Sequence, residues 1–188
     1  MSIHDSPETT PIGHVPTTGR GSMPFALLDG EPLVALATWA LGDAGVELMD
    51  FTVDLADVRG EGRALVLHDP LCPLTPVDFI REAVATSEKE DVVVVGVQAV
   101  TDTVKSVSGG LVGDTVDREG LWRVTSPVVL PAGVVAELDE WPDDDFAGLV
   151  SRLRERYDVR FLEAPALGRR VEDESALVLL EALAAEEA

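Results

Sequence analysis

The stretch "DVVVVGVQAV", residues 91–100, decides the fold class of this chain. Its four consecutive valines lack the apolar–polar alternation of a strand with one face in water. A run of this kind is covered on both faces, as in a parallel sheet with helices on either side. Directly after it come "TDTVKSV", "SGG" and "LVGDTVD", residues 101–117. Two β-rich runs around a glycine turn predict a hairpin, placed at about residues 102–117.

Working outward, Ile12 to Pro16 reads as a short strand, and Glu31 to Leu41 as a helix that Gly42 and Gly45 can end. Glu47 to Val53 and Ala64 to Leu67 are apolar stretches consistent with buried strands. Thr75 and Pro76 are expected to cap and open a helix running to about Ser87. Leu130 to Leu138 and Asp145 to Tyr157 read as helices, Val159 to Leu162 as a strand, and Glu172 to Ala185 as a final amphipathic helix. Strands alternating with helices predict an α/β architecture. Residues 1–10 read as a flexible tail and residues 11–188 as one domain carrying the hairpin as an arm. No internal repeat interrupts it.

The chain has 188 residues, enough to bury a core, and its 46% apolar but only 5% aromatic content predicts an aliphatic one. Its 35 acidic and 14 basic residues give a formal charge of −21, which disfavours nucleic acid and anionic membranes as partners. Any phosphate site must therefore be locally basic. No run approaches the roughly 18 apolar residues of a membrane span. The start, MSIHDSPETTP, lacks the basic-then-apolar order of a signal peptide. The lone Cys72 excludes an intrachain disulfide and fits a reducing, cytoplasmic setting.

"HVPTTGRGSMPFALLDGEPLV", residues 14–34, runs from an apolar stub through Gly19-Arg20-Gly21 into the first helix. Strand, glycine turn and helix in this order can hold phosphate on backbone N–H groups. An ordinary turn has the same composition, so both readings stand at this point.

The order of "GHVPTTGRGSMPFALLDGEPLV", "VLHDPLCPLTPVDFI", "VTDTVKSV" and "GDTVDREGLWRVTSP" resembles the 2-C-methyl-D-erythritol 4-phosphate cytidylyltransferases of isoprenoid biosynthesis, over roughly Ile12 to Leu138. The resemblance implies a Rossmann-like domain of the nucleotide-diphospho-sugar transferase type, with a mostly parallel sheet. It implies an enzyme that joins CTP to methylerythritol phosphate with Mg²⁺ and releases pyrophosphate. It also implies a β-arm that interlocks with a second subunit. Such chemistry needs cations and N–H groups on the triphosphate, a bridging metal and an in-line acceptor.

Carried over residue by residue, the resemblance assigns nucleotide contacts to Gly19, Arg20 and Gly21. Met23 and Phe25 stand where the family has an arginine and a lysine, and the loop is shorter. "LADVRGEGR", residues 55–63, replaces the family's longer base-recognition segment, and Arg59 and Arg63 within it read as solvated surface. Asp69 matches the family's metal-side aspartate, with Cys72 in place of an arginine. His68 is expected to be packed or capping and Cys72 structural. Thr103, Lys105 and Arg118 match the arm residues that hold the acceptor phosphate, and Arg169 and Arg170 occupy a lysine pair's place, Arg170 as a substrate contact. Asp143, Asp144 and Asp145 read as a helix N-terminal cluster, and Thr125 to Val128 as a turn. The expectation is a degenerate, inactive or weakly active homologue acting as a dimeric metabolite- or protein-binding module. The alternative is an active, divergent cytidylyltransferase.

Overall fold

The valine run is a strand with both faces buried, and its register explains why. The computed structural model describes residues 9–49, 53–100, 104–108, 111–116, 121–142 and 144–187. In β6 (Val93–Ala99), Val93, Val95 and Val97 enter one apolar cluster while Val94 enters the other. That is the two-residue period of a strand, applied to a sheet with helices on both sides. Among the described residues, no helix is long and apolar enough to cross a membrane.

Around β6 the chain lays down β1 (Ile12–His14), two short strands β2 (Leu27–Leu28) and β3 (Glu31–Pro32), and α1 (Leu33–Asp43). Next come β4 (Glu47–Leu48), α2 (Leu55–Gly60), β5 (Leu65–Leu67) and α3 (Val77–Glu90). After β6 follow β7 (Val104–Ser108), β8 (Leu111–Val116) and β9 (Trp122–Leu130). The chain continues through α4 (Ala132–Ala136), α5 (Phe146–Leu153), β10 (Val159–Glu163) and α6 (Glu174–Glu187). The main sheet has six strands in the order β10-β6-β9-β5-β1-β4. Only β9 runs against its neighbours β5 and β6; the other pairings are parallel.

The face carrying Leu65, Leu67, Val128 and Leu130 packs on Val134 and Val135 of α4 and on Phe146, Leu149, Val150 and Leu153 of α5. The opposite face, with Val66, Val94 and Val129, receives Leu41 of α1 and Ile80 and Ala83 of α3. A third cluster, Leu28, Leu33, Leu71, Val171 and Leu180, fixes α6 beside the start of α1. The predicted hairpin is β7 paired antiparallel with β8, a two-stranded sheet of its own.

Several local expectations change. The segment taken as the turn at Thr125–Val128 and the helix start at Leu130 is β9, a central strand. Ser126-Pro127 reads as a break, but its peptide bond is cis and the ladder shifts register between Val95 and Val97 as β9 passes. Gly96 permits the approach: a Cβ there would lie 2.6 Å from the Ser126 carbonyl oxygen. Glu31 does not open α1, because Leu27–Leu28 and Glu31–Pro32 pair around Asp29 and Gly30, both at positive φ. An Asp-Gly pair in that conformation makes the tight turn of a two-residue hairpin. Thr75 does not cap α3; its hydroxyl donates to the Cys72 carbonyl at 2.9 Å.

The strand expected over Glu47–Val53 is only Glu47–Leu48 within the described residues. The connection to β5 is therefore longer than "LADVRGEGR", and α2 sits in it as a short crossover helix. Arg63 is not a solvated surface residue: it donates to the Thr10 carbonyl and pairs with Glu47 and Glu61. The last helix is less cleanly amphipathic than expected, since Val178 and Leu179 are exposed beside the buried Leu180. The tail of residues 1–8 lies outside the described residues.

Candidate functional site at the end of the central strands

Strand β5 ends at Leu67, and the next two residues, His68 and Asp69, are buried at the carboxyl edge of the sheet. Ligand sites of α/β sheets form at this edge. The bulged part of β9 passes beside them. The Asp69 N–H donates to Ser126 Oγ at 2.9 Å, and His68 Nδ1 lies 2.5 Å from the same oxygen. His68 Nε2 has no partner among the described residues. Complete burial pushes the His68 pKa down to about 4, against the raising effect of Asp69. At neutral pH this imidazole is uncharged.

The glycine loop closes over Asp69. Gly19 and Gly21 both take positive φ, which turns the intervening Arg20 inward, where its side chain is 4% exposed. Arg20 Nε donates to Asp69 Oδ1 at 2.8 Å, Nη1 to the Thr18 carbonyl at 3.0 Å and Nη2 to the Asp144 carbonyl at 2.8 Å. Its guanidinium carbon also lies 5.4 Å from the centre of the Phe146 ring at the start of α5. From the segment before α6, Arg170 Nε donates to Asp69 Oδ2 at 3.1 Å, and its Nη1 to Glu172 at 3.0 Å. The Leu71 N–H adds a bond to Oδ1 at 3.0 Å.

Burial alone would raise the Asp69 pKa. The Arg20 hydrogen bond and charge, the Leu71 N–H and the Arg170 charge outweigh it and hold the carboxyl below its usual range. Cys72 is fully buried, and burial pushes its thiol well above the usual range.

A cavity of about 320 Å³ opens beside this cluster, lined by Trp122, Arg123, Thr125, Phe146, Arg170 and Glu172 along with Asp69. Arg123 stands 3.8 Å from Glu172. Thr125 Oγ1 is buried without a partner among the described residues.

The Gly19-Arg20-Gly21 turn, Asp69 and Arg170, far apart in sequence, thus converge. Thr103 and Arg118 lie outside the described residues, and Lys105 falls on β7. Sequence reasoning did not single out Ser126, Phe146, Trp122 or Arg123. The only cue for the last two was their position directly after the "DREGL" string. Asp144 takes part through its main-chain oxygen, which no side-chain pattern announces.

The resemblance implies Mg²⁺ at Asp69, and the donor set does not fit it. Mg²⁺ seeks oxygen ligands in near-octahedral order. Both Asp69 oxygens already accept guanidinium N–H groups. Among the described residues, no three His, Cys, Asp or Glu side chains form a group that could hold a metal.

A mixed α/β sheet with helices on both faces and a separate antiparallel hairpin is a fold of the nucleotide-diphospho-sugar transferase-like type. The match to solved structures is specific. A 2-C-methyl-D-erythritol 4-phosphate cytidylyltransferase from Thermus thermophilus superposes with a TM-score of 0.70 at 20% identity, covering 94% of this chain and 100% of that one. The family model for 2-C-methyl-D-erythritol 4-phosphate cytidylyltransferase matches residues 51–140. The enzyme of that name from Geobacter metallireducens is 35% identical over 100 residues, covering 50% of this chain and 43% of the relative. That from Bacillus velezensis is 30% identical over 125 residues, covering 63% and 53%. Over these stretches the chain is similar to 2-C-methyl-D-erythritol 4-phosphate cytidylyltransferases, and the matched stretch spans about half the length of these curated relatives.

Proposed function

We propose that this protein is a homodimeric member of the family that binds a small phosphorylated metabolite and does not efficiently transfer cytidylyl groups. The observation that carries this reading is the orientation of Arg20. It is the only cation of the glycine loop, and all three of its guanidinium nitrogens are bonded within the protein. Met23 and Phe25, where the family has cations, supply none. Phosphoryl-type transfer relies on placed charge, and losing one such donor typically costs about 10²–10³ in rate.

The base side supports the same reading. The sheet stops at the two-residue β4, with a six-residue α2 behind it among the described residues. The cavity volume lies at the small end of the roughly 300–1,000 Å³ range of ligand pockets, suited to one small metabolite.

Calorimetric titration with CTP, other nucleotides and methylerythritol phosphate, each with and without Mg²⁺, tests this. The expected result is binding of the sugar phosphate without a Mg²⁺-dependent CTP complex. Tight Mg²⁺-dependent CTP binding, or pyrophosphate release with both substrates, contradicts it and favours an active cytidylyltransferase. One observation speaks for that alternative: Asp69 and Arg170 do meet at the carboxyl end of β5.

The arm supports the dimer. Among the described residues β7 and β8 pair only with each other, and an isolated two-stranded hairpin is marginal in water. A second copy covering the arm removes that difficulty. Light scattering should give twice the 20.0 kDa chain mass; a monomer at micromolar concentration rules the arm-mediated dimer out.

A further inference from the structure

We infer that Arg20 and Arg170 hold, at Asp69, the place a divalent cation would take, so that this cleft works with arginines as its fixed counter-charge and without a resident metal. The inference stands on the geometry of the cluster and goes beyond the metabolite-binding reading. Two guanidinium groups pair with the carboxylate, one on each oxygen, at 2.8 and 3.1 Å. The Asp69 and Arg20 side chains are each 4% exposed, so neither has water to fall back on.

A metal could reach Asp69 only by displacing a guanidinium. That would leave a buried, unpaired Arg20 next to a divalent ion, and breaking a buried pair in this way is strongly unfavourable. Glu172 is itself paired with Arg170 and faces Arg123, and Asp144 enters the cluster through its carbonyl, already bonded to Arg20.

The exchange gives Arg20 a second role. Because it also bonds the Thr18 and Asp144 carbonyls, it is a positioning residue that ties the glycine loop to the start of α5. An anionic group entering the cavity then meets Arg170 and Arg123 directly, with no bridging ion between.

The test is residue-resolved NMR of the ¹⁵N-labelled full-length chain with Mn²⁺ added to about 1 mM, a weak-binding limit, alone and with inorganic pyrophosphate. The paramagnetic ion broadens nearby amides, and the Arg20 Nε–H signal reports the clamp itself. The expected result is no saturable broadening centred on residues 68–72 and an Arg20 Nε–H signal that persists in both arms. Broadening confined to exposed acidic segments such as residues 54–61 accords with the proposal. Saturable broadening at residues 68–72, or loss of the Arg20 Nε–H signal on Mn²⁺ addition, overturns it. Because the readout involves no nucleotide, its failure is separable from a failed nucleotide titration.

Discussion

Between pH 6.5 and pH 4 the protein is expected to lose about 3 kcal/mol of folding stability through His68 alone. The sign follows from the direction of its shift. Burial lowers the folded-state pKa from 6.5 to about 4, so in this window the unfolded chain binds a proton that the folded protein refuses. The stabilisation is complete above pH 6.5 and declines as pH falls toward 4. The Ser126 hydroxyl at Nδ1 suits a neutral ring, and Nε2 has no described partner to share a second proton. Asp69, with a depressed pKa, keeps its contribution above the ordinary carboxylate value and loses it only at lower pH. The two effects therefore separate along the pH axis. Urea unfolding midpoints from pH 7 to pH 4.5 check this for the wild type and for His68→Asn, which keeps a polar group near Ser126. The variant should start less stable at pH 7 and show a flatter profile; parallel profiles contradict the assignment.

The sheet was legible in sequence where both faces are buried. Val93–Val97 lack alternation because helices cover both sides, and the glycine turn at 108–110 marked the arm. β9 was not legible, although it is the central antiparallel strand. Ser126-Pro127 carries the local signature of a turn, yet the chain continues as a strand between β5 and β6, with Gly96 leaving room for the Ser126 carbonyl. Tertiary fit overrode local preference there.

The site was half legible. The resemblance singled out Arg20, Asp69 and Arg170 in separate roles, and the fold brings the three side chains together. Their spatial relation was not visible, because a cation between two glycines can face ligand or protein with the same sequence. The positive φ values at Gly19 and Gly21, together with acceptors on Thr18 and Asp144, turn Arg20 inward. Arg63 was misread for a similar reason: its partners Thr10, Glu47 and Glu61 come together only in the fold.

Replacing Asp69 with asparagine is expected to cost about 3–5 kcal/mol at neutral pH, the range for breaking a buried ion pair. The substitution keeps shape and removes charge, leaving Arg20 buried against a neutral amide and Arg170 with Glu172 but without the Asp69 charge. An open carboxylate awaiting a metal behaves in the opposite way. In a chain of formal charge −21, neutralising such a group relieves repulsion and leaves stability unchanged or higher.

The decisive measurement is the unfolding free energy in urea, with EDTA present, for the wild type, Asp69→Asn, Arg20→Met and the double variant. A clamp predicts the large loss for Asp69→Asn and a coupling energy between the two sites above about 1 kcal/mol, within the range of contacting pairs. Wild-type or greater stability for Asp69→Asn, with the two substitutions simply additive, contradicts it.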